Sequence, residues 1–120
     1  MPLTRDCWDV YDFVHLALWH MDDCIVPESM LQPTFYLLSE LAKFDAGYEV
    51  RHNGLYSWLV TSAVDKLESL GFAERTRKGI CLTEDGVSSA GPKLRSHRRL
   101  NRRVRSAVDI WSAYHRGTGG

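Results

Sequence analysis

"HNGLYSWLVTSAVDKLESLGFAERTRKGICLTEDG", residues 52–86, decides the fold. Asn53-Gly54 is a turn dipeptide, and Ser57 is well suited to cap a helix start. Behind it Val60, Ala63, Val64, Leu67 and Leu70 recur at the spacing of one helical face. Gly71 stands where a left-handed residue ends a helix. "FAERTRKGICLT" predicts a hairpin in which Phe72 opens one strand, Lys78-Gly79 closes the turn and "ICLT" returns. Thr83 predicts the cap of a short helix over "EDGVSSA", ended by Gly91-Pro92. One feature sits awkwardly in this order: the helix carries Asp65 and Glu68, which a phosphate would repel.

Upstream, Val10, Phe13, Val14, Ala17, Leu18 and Met21 form one stripe and predict a helix over about 6–21. Asp6, Asp9 and Asp12 suit the positive end of its dipole. "DDCIVPES" breaks the pattern. "MLQPTFYLLSELAKFD" predicts a second helix that buries Phe35, Leu38, Leu41 and Ala42, with Tyr36 at the flank. Pro33 belongs in its first turn. "YEVRH" before Asn-Gly predicts a strand and a turn. Downstream, "KLRSHRRLNRRVRSAVDIWSAYHRG" predicts a basic amphipathic helix over about 93–115, with Leu100, Val104, Ala107, Val108 and Trp111 along one face.

The chain has 120 residues, 44% hydrophobic and 25% charged, enough for one domain with a single core. No apolar run approaches the roughly 20 residues that span a bilayer. "MPLTRDCWD" has neither the basic start nor the apolar core of a secretory signal. Three scattered cysteines (Cys7, Cys24, Cys81) do not make a disulfide framework, so a reducing cytoplasm is expected. The net charge of zero hides an asymmetry: residues 1–50 carry −7 and residues 51–120 carry +7. Such a split hints at a polyanionic partner for one face. It equally suits docking of one molecule's basic part on another's acidic part.

Three helices and a two-stranded hairpin follow the order of the winged helix-turn-helix, whose recognition helix enters the major groove while the wing touches the backbone. "SWLVTSAVDKLESLGFAER" resembles the recognition helix and first wing strand of that group, and "ICLTEDG" its closing "LT-x-x-G". The stretch "DAGYEVRHNGLYS" between the second and third helices is similar to the YwgA/SocA-like winged-helix family. There a "lqKllYll" helix precedes an aromatic strand, "yGPYS" and "L…L…L…G". This chain supplies "LQPTFYLLSEL", "GYEV", "HNGLYSWLVTSAVDKLESLGF" and "LTEDG" in that order, over about residues 31–86. Pro33 stands where lysine is usual, and Leu55 where proline precedes Tyr-Ser. The resemblance implies a winged-helix fold and the company of DNA binders and of antitoxin- or adaptor-like partners.

Three groups of residues are candidates for nucleic acid. On the third helix Ser57, Trp58, Thr61, Ser62 and Lys66 point outward, and their hydroxyls and ammonium suit phosphates or base edges. Against them, Asp65, Lys66 and Glu68 sum to −1, and no arginine or asparagine is placed for bidentate base readout. A polar solvated face is the competing explanation. At the hairpin tip Arg75, Arg77 and Lys78 exceed Glu74 by two charges, which suits phosphate or simply an edge kept soluble. The C-terminal arginines, Arg98, Arg99, Arg102 and Arg103 above all, are the strongest cationic feature. Their alternatives are pairing with the acidic first helix, or a solvated face on a dimerising helix. Leu100, Val104, Val108 and Trp111 then form either a dimer interface or packing against helix 6–21.

Catalysis and metal binding find little support. His15 and His20 lie on different helical faces, zinc-like ligand spacing does not recur, and strand alternation points Cys81 inward as a small hydrophobe. No cofactor, metal or membrane is expected. The sequence therefore predicts an α+β, mainly α, single domain over residues 1–120: a winged helix-turn-helix with added N- and C-terminal helices and a core over about 6–91. It is expected to be a non-catalytic, dimeric DNA-binding regulator or antitoxin-like repressor on double-stranded DNA. The alternative is a protein–protein interaction module, an adaptor, toxin neutraliser or assembly subunit, for which Asp65, Glu68 and the acidic first helix speak.

Overall fold

A computed structural model describes residues 9–21, 25–52 and 54–119, the last five by backbone alone. The Asp9 side chain accepts from the Tyr11 amide and starts α1, Val10–His20. Residues 6–8 of the predicted helix lie outside the described residues. The predicted stripe from Val10 to Met21 is buried, but so are His15 and Leu16. The helix is enclosed on more than one face because α3, α6 and the short helices between them pack around it.

After α1, Val26 exchanges both backbone hydrogen bonds with Ile80, at 3.2 and 2.8 Å. This bridge explains Gly79, whose φ is +138° and whose hydrogen stands where a Cβ would run into the Val26 carbonyl. A 3-10 turn, Glu28–Met30, leads into α2, Leu31–Ala42, with Pro33 in the first turn where no amide is needed. Strands β1, Glu49–Arg51, and β2, Gly54–Tyr56, form an antiparallel pair in register Val50↔Leu55. The second of these strands was not predicted.

Ser57 caps α3, Trp58–Ser69, by accepting the Val60 amide at 3.1 Å, and Gly71 takes a φ of +81° after it. Strands β3, Ala73–Thr76, and β4, Gly79–Leu82, pair antiparallel, so Phe72 precedes the first strand and Arg77-Lys78 occupy the turn. Thr83 caps α4, Glu84–Ser89, through the Gly86 amide at 3.1 Å, and donates to the Gly71 carbonyl at 2.6 Å. Gly86 is needed because the Phe72 carbonyl lies against the place of its missing Cβ. The "LT-x-x-G" motif is thus a cap followed by a close backbone crossing.

Two predictions at the C-terminal end need correction. Gly91-Pro92 stands where α4 ends, as predicted, its C-cap being Ala90, but it also opens a further helix, α5, Gly91–Ser96, since proline suits a first turn as well as a position beyond a helix end. The helix predicted over about 93–115 is two, α5 and α6, Arg98–Gly119, broken at His97. His97 leaves helical geometry and bonds Asp12 of α1 at 3.2 Å. The expected dimer interface is also corrected. Leu100, Val104, Ala107, Val108 and Trp111 are buried against α1 and α2 of the same chain.

The result is an α+β, mainly helical fold with two small antiparallel sheets and one cluster of buried side chains from Val10 to Trp111. Among the described residues no helix is long and apolar enough to cross a membrane. The glycine positions give a paired test. Helix propensity alone favours Ala over Gly by about 1 kcal/mol. Gly86→Ala should nevertheless lose about 1–3 kcal/mol in urea unfolding because the Phe72 backbone cannot retreat. Gly91→Ala, which meets nothing within 4 Å, should lose none. A Gly86→Ala variant as stable as the parent would refute the crossing.

Candidate nucleic-acid interface

The first turn of α3 is latched to α2. Ser57 is fully buried; its hydroxyl donates to the Ala46 carbonyl while accepting the Val60 amide. The Gln32 side chain accepts the Ser57 amide at 2.9 Å and donates to the Thr61 hydroxyl at 3.0 Å. Tyr56 adds its hydroxyl to Thr61 at 2.9 Å, and Tyr48 donates to the Gln32 carbonyl at 2.9 Å. Burial pushes the Tyr48 hydroxyl well above the usual phenol range. Ser57 therefore does not approach a groove, and Thr61 is committed to Gln32 and Tyr56. Gln32, Tyr48 and Tyr56 escaped sequence reasoning because no local spacing links residue 32 to the α3 cap. Trp58, Ser62 and Lys66 remain exposed on α3.

The strand just before the tip of the second hairpin gives a further correction. Arg75 is gripped by Glu28 at 2.6 Å, Asp65 at 2.5 Å and Glu68 at 2.9 Å. It is not available to phosphate, and three carboxylates around one guanidinium leave this corner acidic. Arg77 and Lys78 stand exposed at the tip without an ion pair among the described residues.

The α6 arginines follow from the burial of its apolar stripe. At ~100° per residue, Arg98 and Arg102 fall on the side opposite Leu100, Val104 and Val108, and Arg105 falls toward the flank nearer Val108. Arg99 and Arg103 fall on the other flank. All five are exposed, and Arg98, Arg99, Arg102 and Arg105 make no ion pair among the described residues. The alternative of pairing with the acidic first helix holds elsewhere: Asp12 of α1 takes Lys93, at 2.8 Å, and His97.

On that flank Arg99 and Arg103 meet Ser62 and Lys66 of α3 across a cleft of about 750 Å³. Lys43, Asp9 and Asp45 stand at its rim, and Tyr11, Phe44 and Leu59 supply apolar wall. The Lys66 ammonium lies 4.4 Å from the Tyr11 ring centroid. The twelve predicted contact residues thus separate. Ser57 and Thr61 face inward partners and Arg75 is held by surface carboxylates; Ser62, Lys66, Arg99 and Arg103 share the cleft; Arg98 and Arg102 point outward. Arg77 and Lys78 form the tip, and Trp58 stands apart beside Tyr56.

His15 is a second polar centre that sequence reasoning missed. Its Nε2 donates to the Gly86 carbonyl at 2.8 Å, which leaves Nδ1 to accept from the Lys93 ammonium at 2.9 Å. The ring stacks on Phe72, and Lys93 lies 4.0 Å over Tyr11. This network ties α1 to α4 and α5. Among the described residues no group of three or more His, Cys, Asp or Glu is placed to hold a metal. Cys81 is half-buried rather than fully inward, and burial, then the Glu74 charge, push its thiol up. It is a weak nucleophile there.

Burial, reinforced by Lys93, pulls the His15 pKa below the ordinary 6.5. The unfolded chain then binds a proton that the folded chain refuses, between 6.5 and the lower folded value. The His15 contribution to stability is therefore full above that window and falls as pH drops through it. His15→Gln should be less stable than the parent at pH ~7.5 yet lose less on acidification to pH ~5, read by urea unfolding at both. Parallel losses in the two proteins would show that His15 does not titrate in this way.

Comparison of the chain with protein-family models, with curated proteins and with solved structures finds no match in any of the three. The resemblance over residues 31–86 stands on its own motifs.

Proposed function

We propose that this chain is a non-catalytic winged-helix DNA-binding protein, a transcriptional regulator or antitoxin-like repressor that grips the duplex chiefly through its backbone. The element order supports the winged-helix part. Two helices, with the Val26 bridge strand between them, precede α3 and the β3–β4 hairpin, and that bridge extends the hairpin sheet. The observation that carries the DNA reading is the outward face of α6. Arg98, Arg99, Arg102 and Arg105 are exposed and lack carboxylate partners among the described residues. Such a face suits successive phosphates. The acidic corner around Arg75 keeps the second half of α3 away from phosphate, so base readout has few donors. Contacts of this kind fix position on DNA and not sequence.

Fluorescence anisotropy with a random-sequence duplex tests this. From about 50 to about 200 mM salt, affinity should fall with a log–log slope of about 0.9 per phosphate contact. Arg98→Glu/Arg102→Glu/Arg105→Glu should reduce that slope by about 0.9 for each arginine removed and leave the circular dichroism spectrum unchanged. An unaltered slope in the triple variant overturns the assignment to α6.

One observation favours a protein-interaction module instead. Val50, Leu55 and Trp58 are 83, 39 and 61% exposed, and Val50 and Leu55 are cross-strand neighbours. With the α6 stripe committed to the core, a homodimer uses a face such as this one. Sedimentation should then show self-association that Trp58→Ala removes. A monomer at all concentrations rules out that dimer.

A further inference from the structure

We infer that the cleft between α3 and α6 is a binding site for a nucleoside phosphate, an anion with a flat base and hydrogen-bond donors at its far end. Its volume of about 750 Å³ lies within the range of small-molecule sites, roughly 300–1,000 Å³, and far exceeds what an inorganic ion fills. Three elements bring cations to it: Lys43 from the end of α2, Lys66 from α3 and Arg99 from α6. With Arg103, these four basic side chains outnumber the two carboxylates in the lining, Asp9 and Asp45, so the cleft has an excess of positive charge to offer an anion.

The backbone adds a second sign. Lys43 has a φ of +54°, the only positive value at a non-glycine among the described residues. A left-handed lysine costs roughly 1 kcal/mol or more, and glycine would avoid that cost. The conformation is that of the left-handed cap that ends α2, where the Lys43 amide bonds the Ser39 and Glu40 carbonyls, and lysine occupies a place that glycine or asparagine usually takes. Here it delivers an ammonium to the rim of the cleft.

The rest of the lining selects the organic part. Leu59, which is exposed, offers apolar surface for a base, backed by the buried Phe44. Asp9 and Asp45 each use one oxygen on a backbone amide, Tyr11 at 3.4 Å and Gly47 at 2.9 Å. Each carboxylate retains an oxygen to accept a ribose hydroxyl or an exocyclic amine. Cations, apolar wall and carboxylates in one cleft match phosphate, base and donor groups in one molecule. A plain phosphate uses only the first of these, and an uncharged nucleoside only the others.

This site is distinct from the outward face of α6, although Arg99 borders both. Calorimetric titration of the full chain with adenosine and guanosine 5′-monophosphates, inorganic phosphate, ribose 5-phosphate and free nucleosides reads it. At least one monophosphate should bind about ten-fold or more tightly than phosphate, ribose phosphate or its own nucleoside. Lys66→Glu should weaken it by about ten-fold or more, the order of a lost charge-assisted hydrogen bond, and Lys66→Arg should restore most of it. Lys78→Glu, at the hairpin tip, should leave it unchanged. So should Arg98→Glu/Arg102→Glu/Arg105→Glu, so that loss of DNA binding and loss of nucleotide binding separate. Equal affinity for phosphate and monophosphates reduces the cleft to an anion patch. No binding, or binding indifferent to Lys66→Glu, overturns the proposal.

Discussion

Burial of Leu100, Val104, Ala107, Val108 and Trp111 against α1 and α2 sets the direction of the α6 arginines from Arg98 to Arg105. A fully buried Leu or Val contributes roughly 1.5–3 kcal/mol. An exposed ion pair contributes about 0–1 kcal/mol. Carboxylates elsewhere in the chain therefore cannot rotate the helix to neutralise its basic side. Once the apolar stripe is inside, the helical period places Arg98 and Arg102 on the far side, Arg105 toward one flank, and Arg99 and Arg103 toward the flank that lines the cleft with α3. The cleft and the cationic face are two consequences of one packing choice. A terminal helix that had saved this stripe for a second subunit would have produced neither arrangement.

The acidic residues of α3 find their explanation at the opposite corner. Asp65 and Glu68 lie on the α3 surface beside the second hairpin, and Arg75 reaches back from β3 between them to Glu28. These are exposed contacts, individually weak and open to screening by salt. Their effect is geometric: one guanidinium holds the hairpin, α3 and the turn before α2 in register. The cost to any polyanion role is local, since the cation that seemed to crown the hairpin lies inside a ring of negative charge. Charge on this molecule is consequently divided by element. α6 and the hairpin tip are cationic, and the corner around Arg75 beside that tip is not.

What the sequence made legible, and what it hid, follows the distance between partners. The α3 helix could be predicted from Ser57 to Gly71 because cap, stripe and terminator all lie within one segment. The Thr83 cap and the hairpin were legible for the same reason. The break at His97 was not, because nothing near it in sequence forbids a helix; its partner is Asp12, on α1. Arg75 misled in the same way. A local charge sum placed it at a cationic tip, while one of its carboxylates comes from Glu28, 47 residues earlier in the chain. Ser57 was assigned both a cap and a groove contact, and burial under Ala46 and Gln32 allows only the cap. Of the candidate contacts, Ser57, Thr61 and Arg75 are committed to partners that lie far off in sequence, and the others are exposed.

The opposite charges of the two chain halves are only partly cancelled by folding. Asp12 joins Lys93 and His97, and Glu28 joins Arg75, but the outward arginines of α6 gain no such partners among the described residues. A molecule of zero formal net charge exerts little attraction on a distant polyanion. Its cationic face acts only once it is turned toward the partner and within a Debye length, about 10 Å at 0.1 M salt. Association governed by such a face is slower to find its target than that of a uniformly basic protein, and it is selective for orientation. The same neutrality lets the cleft discriminate. A small anion is drawn in by the few cations that line it, while Asp9 and Asp45 at its rim repel an anion lacking donor groups to offer them.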